Sequence, residues 1–93
     1  MQIARVEDSF PLNGQIVLNG IVVMEGSPSR SLVREQLGAI VLLRTPEGQE
    51  FRAELLKVDV HEAFGGQMQV MIGISPLSIA GEIPPGTVVH SLN

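Results

Sequence analysis

A chain of 93 residues, 44% hydrophobic and 17% charged, is long enough for one domain and too apolar to remain disordered. Ten acidic residues against six basic ones leave a net charge of −4, and the cations (Arg5, Arg30, Arg34, Arg44, Arg52, Lys57) are scattered, which argues against a free-standing DNA or RNA binder. The lack of cysteine excludes disulfides, thiol catalysis and cysteine metal sites, and no run approaches the ~18 apolar residues of a membrane helix.

Ile3 to Glu7 reads as a first strand, and Phe10-Pro11-Leu12-Asn13-Gly14 as the turn after it, because proline presets φ and Asn-Gly tolerates positive φ. Gln15 to Met24 is a long apolar strand in which Asn19-Gly20 marks a bulge or bend. Gly26-Ser27-Pro28-Ser29 is loop. Ser31 to Leu37, with Gly38 behind it, is helix-like but only two turns long, so it reads as a crossing loop of helical character.

Ala39 to Arg44 is an aliphatic strand. Thr45-Pro46-Glu47-Gly48 then carries the pattern of a type I turn. Between Glu50 and His61 the alternation changes phase: Phe51, Ala53 and Leu55 share one face, Leu56, Val58 and Val60 the other. One extra residue in a bulge produces such a slip, since the side-chain period is two. Phe64-Gly65-Gly66 is loop. Met68, Val70, Ile72 and Ile74 then alternate against Gln67, Gln69, Met71 and Gly73, a half-buried strand with Met68 in the core and Met71 outside. Ser75 to Gly81 has the signals of one helical turn, and Pro85-Gly86 leads into a last strand, Thr87 to Leu92.

About six strands with turns at this spacing predict a single domain over residues 1–93, an all-β, small closed six-stranded Greek-key-like barrel. Closure hides strand edges. With only three aromatic residues, Phe10, Phe51 and Phe64, the core is built of Val, Ile and Leu.

The chemistry-bearing residues form no catalytic pattern. There is no P-loop, no nucleophile elbow and no His-x-x-x-His pair. His61 and His90 read as solvent-exposed strand-end residues, and Glu7-Asp8 as a solvated pair beside a turn. The expectation is a non-enzyme with no cofactor and no metal, in a cytoplasmic setting.

Several segments, in order, resemble the β-barrel second domain of translational GTPases of the elongation factor Tu type. They are Val6-Glu7-Asp8-Ser9-Phe10, the glycine-bracketed Gly14 to Gly20, Leu37-Gly38-Ala39-Ile40-Val41-Leu42, Val58-Asp59-Val60, Gln67 to Ile74 and Gly86-Thr87-Val88-Val89. In members that bind aminoacyl-tRNA this barrel holds the acylated 3′ end; others use it against the ribosome. The resemblance implies a ligand-binding set of Phe10 for stacking, Asp59 to accept a ribose hydroxyl and Gln67 to hydrogen-bond. Read without it, the same three are a core Phe, an exposed strand Asp and a solvated Gln, the reading their residue types favour. The chain differs from the family at Gln15-Ile16-Val17, where the family has Arg-Gly-Thr, and at Gln69, where it has Gly.

These readings converge on a binding or interaction module that docks on a protein partner or self-associates, with Met71 on its adaptable surface. One alternative is a translation-related module contacting ribosome or tRNA. The other is a small ligand-binding barrel. DNA and membrane partners are not expected.

Overall fold

The computed structural model describes residues 1–24, 26, 29–62, 65–75 and 83–92. These residues form six strands, β1 (Gln2–Leu12), β2 (Gln15–Val22), β3 (Ile40–Arg44), β4 (Glu50–Glu62), β5 (Met68–Ile74) and β6 (Val88–Ser91), and one helix, α1 (Arg30–Leu37). The strands close into a barrel in the order β1-β2-β5-β4-β3-β6, every pairing antiparallel. Placing β2 beside β5, outside the β3-β4-β5 meander, makes the Greek-key connection. The expected fold class is the observed one.

The first hairpin turns on two residues only, Asn13 at φ 50° and Gly14 at φ 78°. Two successive positive φ values are the signature of the type I′ turn, whose twist suits paired strands. Phe10, Pro11 and Leu12 are therefore strand, not turn, and β1 runs five residues beyond Glu7. Pro11 is tolerated because Leu12 and Gln15 flank the turn and exchange the hydrogen bonds. One residue back, opposite Ile16, the Pro11 nitrogen points away from β2. On that side β6 pairs with β1 only as far as Arg5.

The bulge in the first hairpin lies in β1 rather than at Asn19-Gly20. Val6 pairs with Gly20 and Asp8 with Asn19, so Glu7 is the extra residue. Glu7 and Asp8 are solvated in this bulge and not beside a turn. Gly20 serves a different purpose, since a Cβ there would collide with the carbonyl oxygen of Arg5.

The phase slip in β4 is real: Leu55 pairs with Ile74 and Lys57 with Gly73, so Leu56 is the bulged residue. Leu56 is consequently 46% exposed and does not share the inner face with Val58 and Val60. The loop after β3 closes with the Gly48 amide donating to the Thr45 carbonyl at 2.9 Å, the bond of a type I turn. The last strand is shorter than expected: the Thr87 amide and hydroxyl both donate to the Pro84 carbonyl, at 3.2 and 2.7 Å, while the Thr87 carbonyl still accepts the Val6 amide of β1.

Residues 30–37 form a true helix. Ser29 caps it by accepting the Leu32 amide at 3.1 Å, and Gly38 ends it at φ 70°. Two turns are marginal alone, but Val33 and Leu37 are buried in the same cluster as Ile3, Val41 and Val60. Burial of those two side chains holds the helix. The inner core comprises aliphatic side chains of all six strands, including Leu18, Leu43, Ile72, Ile74 and Val89. Phe64 and most of the expected turn at Ser75 to Gly81 lie outside the described residues. Among the described residues no helix is long and apolar enough to cross a membrane.

Candidate functional site

The outward faces of β1, β2, β5 and β4 can be followed row by row through the pairing register. Phe10, Val17, Gly73 and Lys57 form one row. Asp8, Asn19, Met71 and Asp59 form the next, and Ile21, Gln69 and His61 the row beyond. Directly paired residues project from the same face of the sheet, so each row is a line of neighbouring side chains.

This outer face carries much apolar surface. Phe10 is 37% exposed, Leu12 52% and Met71 38%. Val17 is buried yet does not belong to the inner core cluster, so it is covered from outside. Leu12, Asn13, Gln15, Val17, Lys57, Met71 and Gly73 line a hollow of about 150 Å³ there. Its floor is possible because Gly73 has no side chain. A Cβ at that position would lie 2.5 Å from Gln15 Oε1 and 3.4 Å from the Lys57 Cβ. Gln15 Oε1 and the Lys57 Cβ therefore both lie over the Gly73 backbone.

The three residues implied by the resemblance do not converge. Phe10 stands on the outer face, so it is not a core aromatic. Asp59 lies three strands away in the neighbouring row, exposed, 3.9 Å from Arg34 of α1. Gln67 precedes β5, six residues before the Gly73 row, which at about 3.3 Å per residue is some 20 Å along the barrel. There Gln67 lines a different depression with Val22, Met24, Glu62 and Met68. Met68 packs on the core and Met71 is outside, as the alternation predicts.

The two histidines differ. His61 is exposed, with Nε2 3.1 Å from Gln69 Oε1 on the paired strand. His90 is not a solvent-exposed strand-end residue. It sits within β6, paired to Gln2 and Leu42, half-buried, with Nε2 buried and without a hydrogen-bond partner. Burial, then the Arg44 guanidinium and the N-terminal amine, lower its pKa below the ordinary 6.5, against an opposing pull from Glu50. Among the described residues, no three His, Asp or Glu side chains gather as a metal would need.

The reading of the sequence missed Val17, Gln15, Lys57 and Gly73 as one constellation. One signal was present. Ile16-Val17-Leu18 is apolar on both faces, which in a strand means that both faces are covered. Compared with protein-family models, curated proteins and solved structures, the chain matches none.

Proposed function

We propose that this barrel is a non-enzymatic interaction module, acting in a cytoplasmic setting, that docks on a protein partner through the outer face of β1, β2 and β5. The observation that carries the reading is the grouping of exposed Phe10, Leu12 and Met71 around the covered Val17. Apolar side chains gathered on one face of a small acidic domain suit burial against another protein, with Met71 adapting to the contour. A second copy of the chain is the simplest competing occupant.

Affinity capture from the source cell tests the proposal, using the chain beside a Phe10→Ser/Leu12→Ser/Met71→Ser variant, with light scattering run on both. The expected result is a protein retained by the native chain and lost from the variant, while the native chain stays monomeric. Identical capture by both would refute it. A mass that rises with concentration only for the native chain would assign the face to self-association.

The translation-related alternative has one observation in its favour, the exposure of Phe10, which leaves its ring open to stack on a base. Co-sedimentation with ribosomes at low and high salt tests it. A phosphate-contacting complex weakens steeply with salt, and no retention at low salt would end that reading.

A further inference from the structure

We propose that the hollow over Gly73 captures the C-terminal residue of the partner protein. Its apolar side chain would sit on Val17 between Leu12 and Met71, and its free carboxylate would be held by Lys57 and Gln15. This rests on the reading of the outer face as a docking surface and names the chemistry that the surface selects.

The size of the hollow decides what fits. About 150 Å³ matches a cavity that takes one benzene-sized group. It falls below the roughly 300–1,000 Å³ of pockets for drug-sized ligands. One aliphatic or aromatic side chain is thus the whole apolar payload. Two polar side chains line it: Gln15 Oε1 and the Lys57 Cβ both lie against Gly73. The Lys57 ammonium supplies a charged donor to one oxygen of a carboxylate, and the Gln15 carboxamide, which turns its Oε1 toward Gly73 when the hollow is empty, offers its N–H to the other once rotated about its last torsion.

Lys57 forms no ion pair among the described residues, whereas its neighbour Asp59 faces Arg34. A phosphate chain is disfavoured, because Asp8 and Asp59 occupy the adjoining row and would repel the next charge. On a C-terminal residue the side chain and carboxylate share one Cα. Their separation is fixed, and a single residue satisfies both halves of the site. An internal Asp or Glu would require a second side chain for the hollow. Capture of a terminal carboxylate is a recurrent mode of peptide recognition.

The test is titration of the chain with the peptide acetyl-Gly-Ser-Val-Leu as the free acid and as the C-terminal amide, followed by amide proton–nitrogen correlation spectra. The acid is expected to shift Leu12, Val17, Met71 and Gly73 and to bind about fivefold more tightly than the amide, the scale of one partly exposed ion pair. Lys57→Gln should abolish the preference and Lys57→Arg retain it. Gly73→Ala should block both peptides while leaving the barrel folded, because only the flexible Gln15 side chain must yield.

Equal binding of acid and amide at these residues would overturn the carboxylate inference while leaving the docking face standing. An acid preference that survives Lys57→Gln would do the same. No shift from either peptide at about 10 mM, far above any specific recognition, would overturn the inference outright. The reading of the face itself fails separately, through unchanged capture by the Phe10/Leu12/Met71 variant.

Discussion

Gly20→Ala should destabilise the barrel by about 2 kcal/mol. The added methyl would point straight at β1. It would collide with the Arg5 carbonyl oxygen and lie 2.9 Å from the Arg5 carbonyl carbon and 3.2 Å from the Val6 Cα. All three are backbone atoms and cannot rotate away. Nor can β1 step back, because its far side is fixed: the Val6 amide donates to the Thr87 carbonyl at 2.7 Å and the Gly86 amide to the Val6 carbonyl at 2.8 Å. Overpacking of this kind costs about 1–3 kcal/mol. Loss or distortion of a β1–β2 ladder bond adds about 1 kcal/mol. The restricted unfolded chain of Ala over Gly returns about 0.5–1 kcal/mol.

For a domain of this length, whose whole stability is about 5–14 kcal/mol, a net loss near 2 should lower Tm by about 8–16 °C. Urea unfolding followed by circular dichroism measures it, with an unchanged m-value showing that stability alone moved. Gly73→Ala is the control within the same sheet. Its methyl meets the movable Gln15 amide, so its effect should stay within about 0.5 kcal/mol. If Gly20→Ala also stays within about 0.5 kcal/mol, the close approach of β1 and β2 is not a constraint and the reasoning fails.

Leu37→Ala should cost about 2–5 kcal/mol in urea unfolding, because it removes a fully buried side chain of α1 from the core. Ser29→Ala, which removes only the cap on the Leu32 amide, should cost about 1 kcal/mol in the same assay. His90 gives stability a pH dependence of known sign. Its folded pKa lies below the ordinary 6.5, so as pH falls through 6.5 the unfolded chain takes up the proton first and the fold loses stability. The loss levels off once the pH passes below the folded value, and above 6.5 the group contributes no pH dependence. Unfolding at a series of pH values should show native stability falling relative to His90→Leu across that window; parallel curves would refute the assignment. Ser91→Ala should leave stability unchanged or raise it by up to about 1 kcal/mol, because the buried Ser91 hydroxyl has no partner to lose.

Features set by neighbours in the chain were legible before any coordinates. Asn13-Gly14 turns because two adjacent residues accept positive φ. Thr45 to Gly48 turns because proline and glycine occupy the positions that a type I turn favours. The slip in β4 could be read from Leu55-Leu56, since a period of two admits no other way to keep both halves of the strand buried. Phe10-Pro11-Leu12 was misread for the same local reason: proline before Asn-Gly looks like a turn. Only the pairing register shows that the Pro11 nitrogen faces away from β2. The candidate site was less legible. Phe10, Asp59 and Gln67 are three points on a surface whose rows join β1, β2, β5 and β4, and that order cannot be read from any one strand.

The amino-acid sequence by itself determined that there would be strands, roughly where each begins and turns, and that aliphatic side chains would fill the core, because these follow from propensity and periodicity over a few residues. Tertiary structure decided which face of each strand is inside, that two turns of helix survive by burying Val33 and Leu37, that Gly20 spaces two backbones while Gly73 floors a hollow, and that His90 is shielded. Those outcomes depend on contacts between residues as far apart as Gln2 and His90, and alternation along one strand is the same whichever side the barrel closes upon.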